Sequence, residues 1–368
     1  MLEYYITIFS VIITSYVAQS YKKSVSIRQN LHRSNQNSSG YILFAIVTAT
    51  ILILFSGLRY RVGTDYNNYV EMYFIRKDSW LQYLLRFDEP GLPILSKIAS
   101  LIYDDPATMF LLVSFITIGL YMISITKHCS DTFVFSVLLF LFTGSWVGSF
   151  NVIRQYLAAS VLFIGHRLIF QRKFFKYVIV VLCAMCFHRT ALVMLPVYFI
   201  ANKKINLKSI ILLFASVVLI MYSYDFVFSI MSSFKLADQS QYEYMLTEVN
   251  IFRILVACAP LGLYFLTSKH RQGHHDKEVD FYSMLLFVNA AFLLGTSESA
   301  YLARVAIFTE AFPAIAFPKL LKYETKFMRN FYMIIISVCY FAYFSYQIYC
   351  SDALNNFQWI WERTTIWM

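Results

Sequence analysis

Apolar runs dominate the chain, and their lengths set its class. A hydrocarbon core of ~30 Å needs ~20 mostly apolar residues per helix. Runs near that length fall at 4–18, 41–58, 107–126, 132–148, 152–169, 207–224, 251–268, 280–296, 303–320 and 331–349. The first has no basic residue before it and no small-residue cleavage pattern after it, so it reads as an anchor and not a cleaved signal. Basic clusters flank the runs at Lys22/Lys23/Arg28/Arg33, Arg167/Arg172/Lys173/Lys176, Lys269/Arg271/Lys277 and Lys319/Lys322/Lys326/Arg329. Under the positive-inside rule each faces the cytoplasm. The stretch 174–200 is apolar except for His188 and Arg189 in its middle. As one helix it would put Lys203, Lys204 and Lys208 outside and invert every later loop. As two short elements meeting at His188-Arg189 it keeps the later clusters inside. The pattern therefore predicts an all-α, polytopic transmembrane helical bundle of about twelve membrane elements. Both termini lie outside, and a short broken hairpin surrounds His188.

Composition narrows the function. Hydrophobic residues make up 59% of the 368-residue chain and charged residues only 14%, against roughly 25% charged in soluble domains. A soluble enzyme, a nucleic-acid binder and a disordered chain are excluded. The net charge of +10 is loop charge that sets orientation, not a nucleic-acid footprint. The six cysteines lie in or beside apolar runs and read as core thiols. Residues 1–368 form a single membrane domain without a repeat. Short, basic inward loops argue against a cytoplasmic catalytic domain. Two outward loops are longer: 59–106, with an amphipathic segment around 72–87 and an apolar stretch at 92–103, and 225–250, which is acidic and carries Tyr242 and Tyr244.

Ionisable residues at span ends collect on the outer side. They are Arg59, Arg61 and Asp65 after the second span, Asp88 and Glu89 before Pro90-Gly91, Arg154 with Asn151 and Gln155, His188 with Arg189, and Arg304. Such groups are costly near hydrocarbon unless paired or solvated, so their convergence marks a functional cavity. Asn151, Arg154 and Gln155 share one helix face by their spacing, with Ser149 as N-cap. A helix N-terminus carrying an arginine suits an anion; a snorkelling arginine is the competing reading. Arg59 and Arg61 with Asp65 read as a phosphate hook or as an interfacial turn with an internal salt bridge. His188 reads as a functional group at a break or as a satisfied core histidine. Arg304 reads as a site residue or as a partner of Glu298 or Glu310. Cys183-x-x-Cys186-Phe187-His188 has no second cysteine pair, so no metal site is assigned. The His270/His274/His275 cluster reads as a solvated loop, and Asp104-Asp105 before Pro106 as a capping pair.

These motifs resemble the EpsG/Wzy family of bacterial exopolysaccharide and O-antigen polymerases. The resemblance rests on Gly57-Leu58-Arg59-Tyr60-Arg61-Val62-Gly63-Thr64-Asp65-Tyr66-x-x-Tyr69, Glu89-Pro90-Gly91, Asn151-Val152-Ile153-Arg154-Gln155-Tyr156-Leu157-Ala158, Phe187-His188-Arg189-Thr190-Ala191-Leu192 and Tyr301-Leu302-Ala303-Arg304. They run in order over roughly 45–310. Thr190 stands where a serine is expected soon after the histidine.

The resemblance implies a multi-pass glycosyltransferase of the bacterial inner membrane with its site facing the periplasm. It would move a growing glycan from undecaprenyl pyrophosphate to the non-reducing end of a lipid-linked repeat unit. His188 would be the base, with Asp65 or Glu89 as alternatives. Arg59, Arg61, Tyr66, Asn151, Arg154, Gln155 and Arg304 would hold diphosphate and sugar. No cofactor and no nucleic acid is implied. The partners would be the lipid-linked oligosaccharide, membrane lipid, a Wzz-like chain-length regulator and a flippase. An O-antigen ligase uses the same donor, and physics alone does not separate it. A lipid-linked oligosaccharide flippase would show charges facing both sides of a central cavity and often repeats.

Overall fold

A computed structural model describes residues 1–32, 39–206, 208–213, 215, 216, 219, 247–271 and 276–363. It shows an all-α helical membrane protein. Among the described residues four helices are long and apolar enough to cross a membrane: Ser39–Gly57, Pro106–His128, Lys277–Gly295 and Lys326–Tyr349. Other predicted spans are shorter or broken for visible reasons. Gly144, at φ +102, interrupts 132–148 and leaves helices Phe133–Phe142 and Ser145–Gly148. The 303–320 run divides into a 3-10 turn at Leu302–Ala306, Ile307–Glu310 and Pro313–Leu320, the last opened by its proline. The N-terminal helix runs Leu2–His32, well past the apolar run, because Lys and Gln do not stop a helix. Half of the predicted 207–224 span and most of the 225–250 loop lie outside the described residues, as do Tyr242, Tyr244, His274 and His275.

The break at His188 is present. Helix Phe174–Met185 ends before His188, whose backbone is extended, and a 3-10 turn Arg189–Val193 leads into helix Met194–Ala201. Ring contacts of Tyr198 with Phe174 (5.1 Å) and Tyr177 (5.7 Å) put the end of the second helix beside the start of the first. The pair is an antiparallel hairpin with His188 at its tip.

Part of the core is an aromatic cluster. Tyr4, Phe55, Trp146, Phe344 and Phe357 are buried against one another, with Phe55 stacked on Phe357 at 4.3 Å. The Trp146 indole donates to Ser56 Oγ at 2.9 Å, which satisfies the one polar atom of that ring. Phe357 arrives with a C-terminal strap. Strand Gln358–Trp359 pairs antiparallel with strand Arg59–Tyr60, in the register Arg59↔Trp359 and Tyr60↔Gln358. Gly63 N–H also donates to Ala353 O at 2.9 Å, and the N-terminal amine reaches Asn355 O at 3.3 Å. The N-terminus and the strap therefore sit at the same end of the bundle as the 59–66 loop.

Loop 59–106 folds as helices Tyr66–Arg76, Trp80–Arg86 and Gly91–Ile102 over a second apolar cluster that includes Tyr69, Tyr73, Leu92 and Phe110. Asp105 caps the Pro106–His128 helix through Ala107 N–H (2.8 Å) and pairs with Arg363 at 2.6 Å. Asp104 accepts from Tyr73 and Lys77. At the other end of the bundle, Asp276 caps Lys277–Gly295 and binds Lys322, Glu278 takes Arg167 and Lys319, and Glu324 holds His270. His270 is thus tied to the fold, although the sequence pattern places it in a solvated loop.

Candidate active site

A close backbone approach sets the site. Gly91 N–H donates to Cys186 O at 2.7 Å. A Cβ on Gly91 would stand 2.3 Å from the Phe187 ring and 2.9 Å from that carbonyl, so only glycine lets loop 59–106 press on the hairpin tip. Two residues earlier, Glu89 adopts φ +47, a conformation that disfavours side chains with a Cβ. Its carboxylate is held from several directions. Oε1 accepts from the Arg189 backbone N–H (2.9 Å) and bonds His188 Nδ1 (3.0 Å), while Oε2 pairs with the Arg154 guanidinium. Arg189 in turn pairs with Asp88. Burial pushes the Glu89 pKa up, but His188, the Arg189 N–H and the Arg154 charge together outweigh it and hold the carboxyl down at about 2. Against an ionised carboxylate, His188 Nδ1 is the donor, so in the neutral ring Nε2 carries the lone pair.

Arg154 is in the first turn of helix Ile153–Phe170, and its Nε is buried without a hydrogen-bond partner among the described residues. Gln155, 1% exposed, donates from Nε2 to Arg304 O at 2.7 Å and leaves Oε1 likewise unpartnered. Both groups line a cavity of about 1060 Å³, together with His188, Asp65, Tyr69 and Arg304. Its remaining wall is largely apolar, from Leu192, Leu195, Pro196, Phe292 and Val305. Asp65 precedes helix Tyr66–Arg76, half-buried and without a side-chain capping bond. Arg304 lies over the Tyr301 ring at 5.5 Å.

Other predicted residues stand elsewhere. Arg59 is 2% exposed; its guanidinium donates to the carbonyls of Ser56, Val62 and Phe150 and lies between the Phe110 and Phe150 rings, 5.0 and 4.9 Å from their centroids. It lines neither this cavity nor its neighbour. Burial pushes its pKa down to about 10. Tyr66 is buried, stacked on Phe110 at 4.5 Å. Arg61 is exposed at φ +53, over the Tyr60 ring.

The shared helix face of Asn151, Arg154 and Gln155 needs correction. The helix starts at Ile153 with Val152 as its N-cap, and the Ser149 hydroxyl bonds Trp146 O instead. The turn that follows Gly144 uses up these positions. Asn151 therefore precedes the helix, accepts from the Thr64 N–H at 2.7 Å, and lines a neighbouring, smaller cavity. Gly63, at φ +105, lets the two loops meet, since a Cβ there would stand 2.7 Å from Phe150 O.

The chain carries the motif loop, the strap and the hairpin in one continuous stretch, and the EpsG family model matches residues 42–360. The chain belongs to the EpsG family. This is the family of Wzy-type polysaccharide polymerases, and membership supports a polysaccharide polymerase-type role. No curated protein and no solved structure matches the chain. The EpsG match extends beyond the 45–310 region of the motifs and ends at Ile360, in the strap that pairs with Arg59–Tyr60. The sequence pattern does not single out Arg253 of the smaller cavity and offers Glu310 only as a partner for Arg304. A signal existed: Asn250-x-x-Arg253 repeats at one span start the spacing of Asn151-x-x-Arg154 at another.

Proposed function

We propose that this EpsG-family chain polymerises lipid-linked oligosaccharide repeat units of an O-antigen, capsule or exopolysaccharide at the periplasmic face of the inner membrane. The growing glycan passes from undecaprenyl pyrophosphate to the non-reducing-end hydroxyl of an incoming unit. The supporting observation is a His188–Glu89 pair on a cavity that also presents Arg154 and Arg304. His188 Nε2 takes the proton of the attacking hydroxyl as the oxygen bonds to the anomeric carbon. The bond from that carbon to the diphosphate breaks, and the electron pair leaves with the phosphate oxygen. Arg154 and Arg304 stabilise the charge that develops there. Glu89 fixes the imidazole tautomer and stabilises the imidazolium, and its low pKa makes it a poor base at neutral pH. Asp65, on the same cavity, accepts a sugar hydroxyl. The apolar wall suits the first isoprene units of the carrier.

A gel of surface polysaccharide from cells lacking the gene tests this. Loss of the ladder, with a single repeat unit still on the surface, is expected. A surface bare of any repeat would assign the protein to flipping or ligation and contradict the proposal.

A further inference from the structure

A second cavity of about 390 Å³ adjoins the first, and both are lined by Val152 and Arg304. Its chemistry differs. Glu310 Oε2 accepts from the Tyr156 hydroxyl at 2.6 Å. Gln347 donates from Nε2 to the Tyr343 hydroxyl at 2.9 Å, while its Oε1 is buried with no hydrogen-bond partner among the described residues. Arg253 and the Tyr346 ring also line the space, and Asn250 Nδ2 donates to the Tyr346 hydroxyl at 3.2 Å. Gly144 forms part of the wall in its left-handed conformation. A Cβ there would stand 3.2 Å from Gln347 Nε2 and 3.6 Å from Glu310 Oε1, in the space those groups face.

The occupant follows from what each ligand class would leave unpaired. A phosphate would meet the Glu310 carboxylate. A prenyl chain would set the Glu310 and Arg253 charges against hydrocarbon and leave the buried Gln347 amide oxygen without a partner, the last at about 1–3 kcal/mol. A sugar ring presents hydroxyls that each donate and accept, and so satisfies all three. The volume lies at the lower end of ordinary small-ligand sites, roughly 300–1,000 Å³.

We propose that this second cavity seats the non-reducing terminal sugar of the incoming repeat unit, with Glu310 and Gln347 accepting from its hydroxyls and Arg253 donating to them. The inference rests on the polymerase reading and divides the labour between the cavities. The lipid diphosphate occupies the large apolar one, the acceptor sugar the small polar one, and Arg304 belongs to both walls.

The test uses the full-length protein in nanodiscs and two probes. One is the neutral repeat-unit oligosaccharide freed of lipid and phosphate; the other is undecaprenyl pyrophosphate. Wild-type protein should bind both saturably. Glu310→Gln and Gln347→Leu should each weaken oligosaccharide binding by about tenfold and leave undecaprenyl pyrophosphate binding unchanged. Unchanged oligosaccharide affinity in both variants would overturn the proposal, as would no saturable oligosaccharide binding by the wild type. A parallel loss of both ligands would overturn it too, because the cavities would then not be separate sites. The polymerase reading fails by a different result: wild-type protein that does not lengthen lipid-linked units at all.

Discussion

Arg154 and Arg167 sit on one helix, about 20 Å apart at 1.5 Å per residue, and each pairs with a glutamate. Their surroundings are opposite. Arg167 pairs with Glu278, packs over the Phe170 ring at 4.7 Å and shares its carboxylate with Lys319. Nearby Asp276 caps a helix and binds Lys322 and Tyr323; burial pushes its pKa up, but these bonds outweigh burial and hold it at about 2. Charge at that end is spent on holding helices together. Arg154 pairs with a glutamate held just as low, yet its Nε and the neighbouring Gln155 Oε1 have no partner among the described residues, Glu89 sits in a strained conformation, and a histidine completes the cluster on an open cavity. An ion pair alone therefore says little about function. Glu324 Oε2 is unpartnered among the described residues and Arg172 stands at φ +56 at the other end as well, so it is the convergence of such features with His188 on one cavity that marks the proposed catalytic end.

Breaking the proposed catalytic end should cost the most. Glu89→Gln replaces one accepting oxygen by an NH2 donor and removes the charge, so that an amide facing His188 imposes the wrong tautomer and turnover should fall on the order of 1,000-fold, read as glycan lengthening by purified protein. Arg154→Lys loses the planar fork toward the proposed diphosphate, and a drop of about 100-fold is expected. In both variants turnover is taken per folded molecule, with melting temperature in detergent read alongside, so that lost chemistry is separated from lost fold.

Stability effects come next. Gly91→Ala drives a methyl into Phe187 and a backbone carbonyl, and should cost about 1–3 kcal/mol of stability together with activity, because the loop carrying Glu89 must shift. Arg59→Lys leaves carbonyls of Ser56, Val62 and Phe150 short of a donor, so the expected loss is in folded protein, with turnover per folded molecule retained. Arg167→Ala should lower stability by roughly 1 kcal/mol and leave turnover unchanged. A large activity loss in Arg167→Ala would erase the contrast between the two ends.

Acid sharpens it further. The Glu89 pKa falls from 4.5 unfolded to about 2 folded, so the unfolded chain binds more protons between those values and stability drops as pH falls through that window. Above pH 4.5 the contribution is fully present. Glu89→Gln should flatten that part of the melting-temperature profile between pH 5 and pH 3, measured against wild type.

Much of this site was legible from charge and hydropathy because membranes penalise misplaced charge. The break at His188 followed from requiring Lys203 and Lys204 to stay inside, and the structure places a hairpin tip there. Grouping the ionisable residues that the charge pattern assigns to one membrane face brings together Asp65, Glu89, Arg154, His188 and Arg304. What was not legible depended on backbone geometry at single residues. Gly144 ends one helix and delays the next, which moves Asn151 off the face of Arg154. Arg59 looked like a phosphate ligand because sequence shows that a cation lies at a span end, not which carbonyls surround it. The strap at Gln358–Trp359 is two residues long and pairs across nearly the whole chain, so no local pattern announces it. Glu310 was weighed only as a partner for Arg304, and its cavity needs Gly144, Arg253 and Gln347 from distant segments.

The most direct test of the central claim is the glycan-lengthening rate of reconstituted His188→Ala against wild type, with melting temperatures measured on the same samples. Loss of a general base predicts a fall of about 100-fold or more at an unchanged melting temperature. A rate within a fewfold of wild type, from folded protein, would contradict the assignment of the His188 cavity as the catalytic centre.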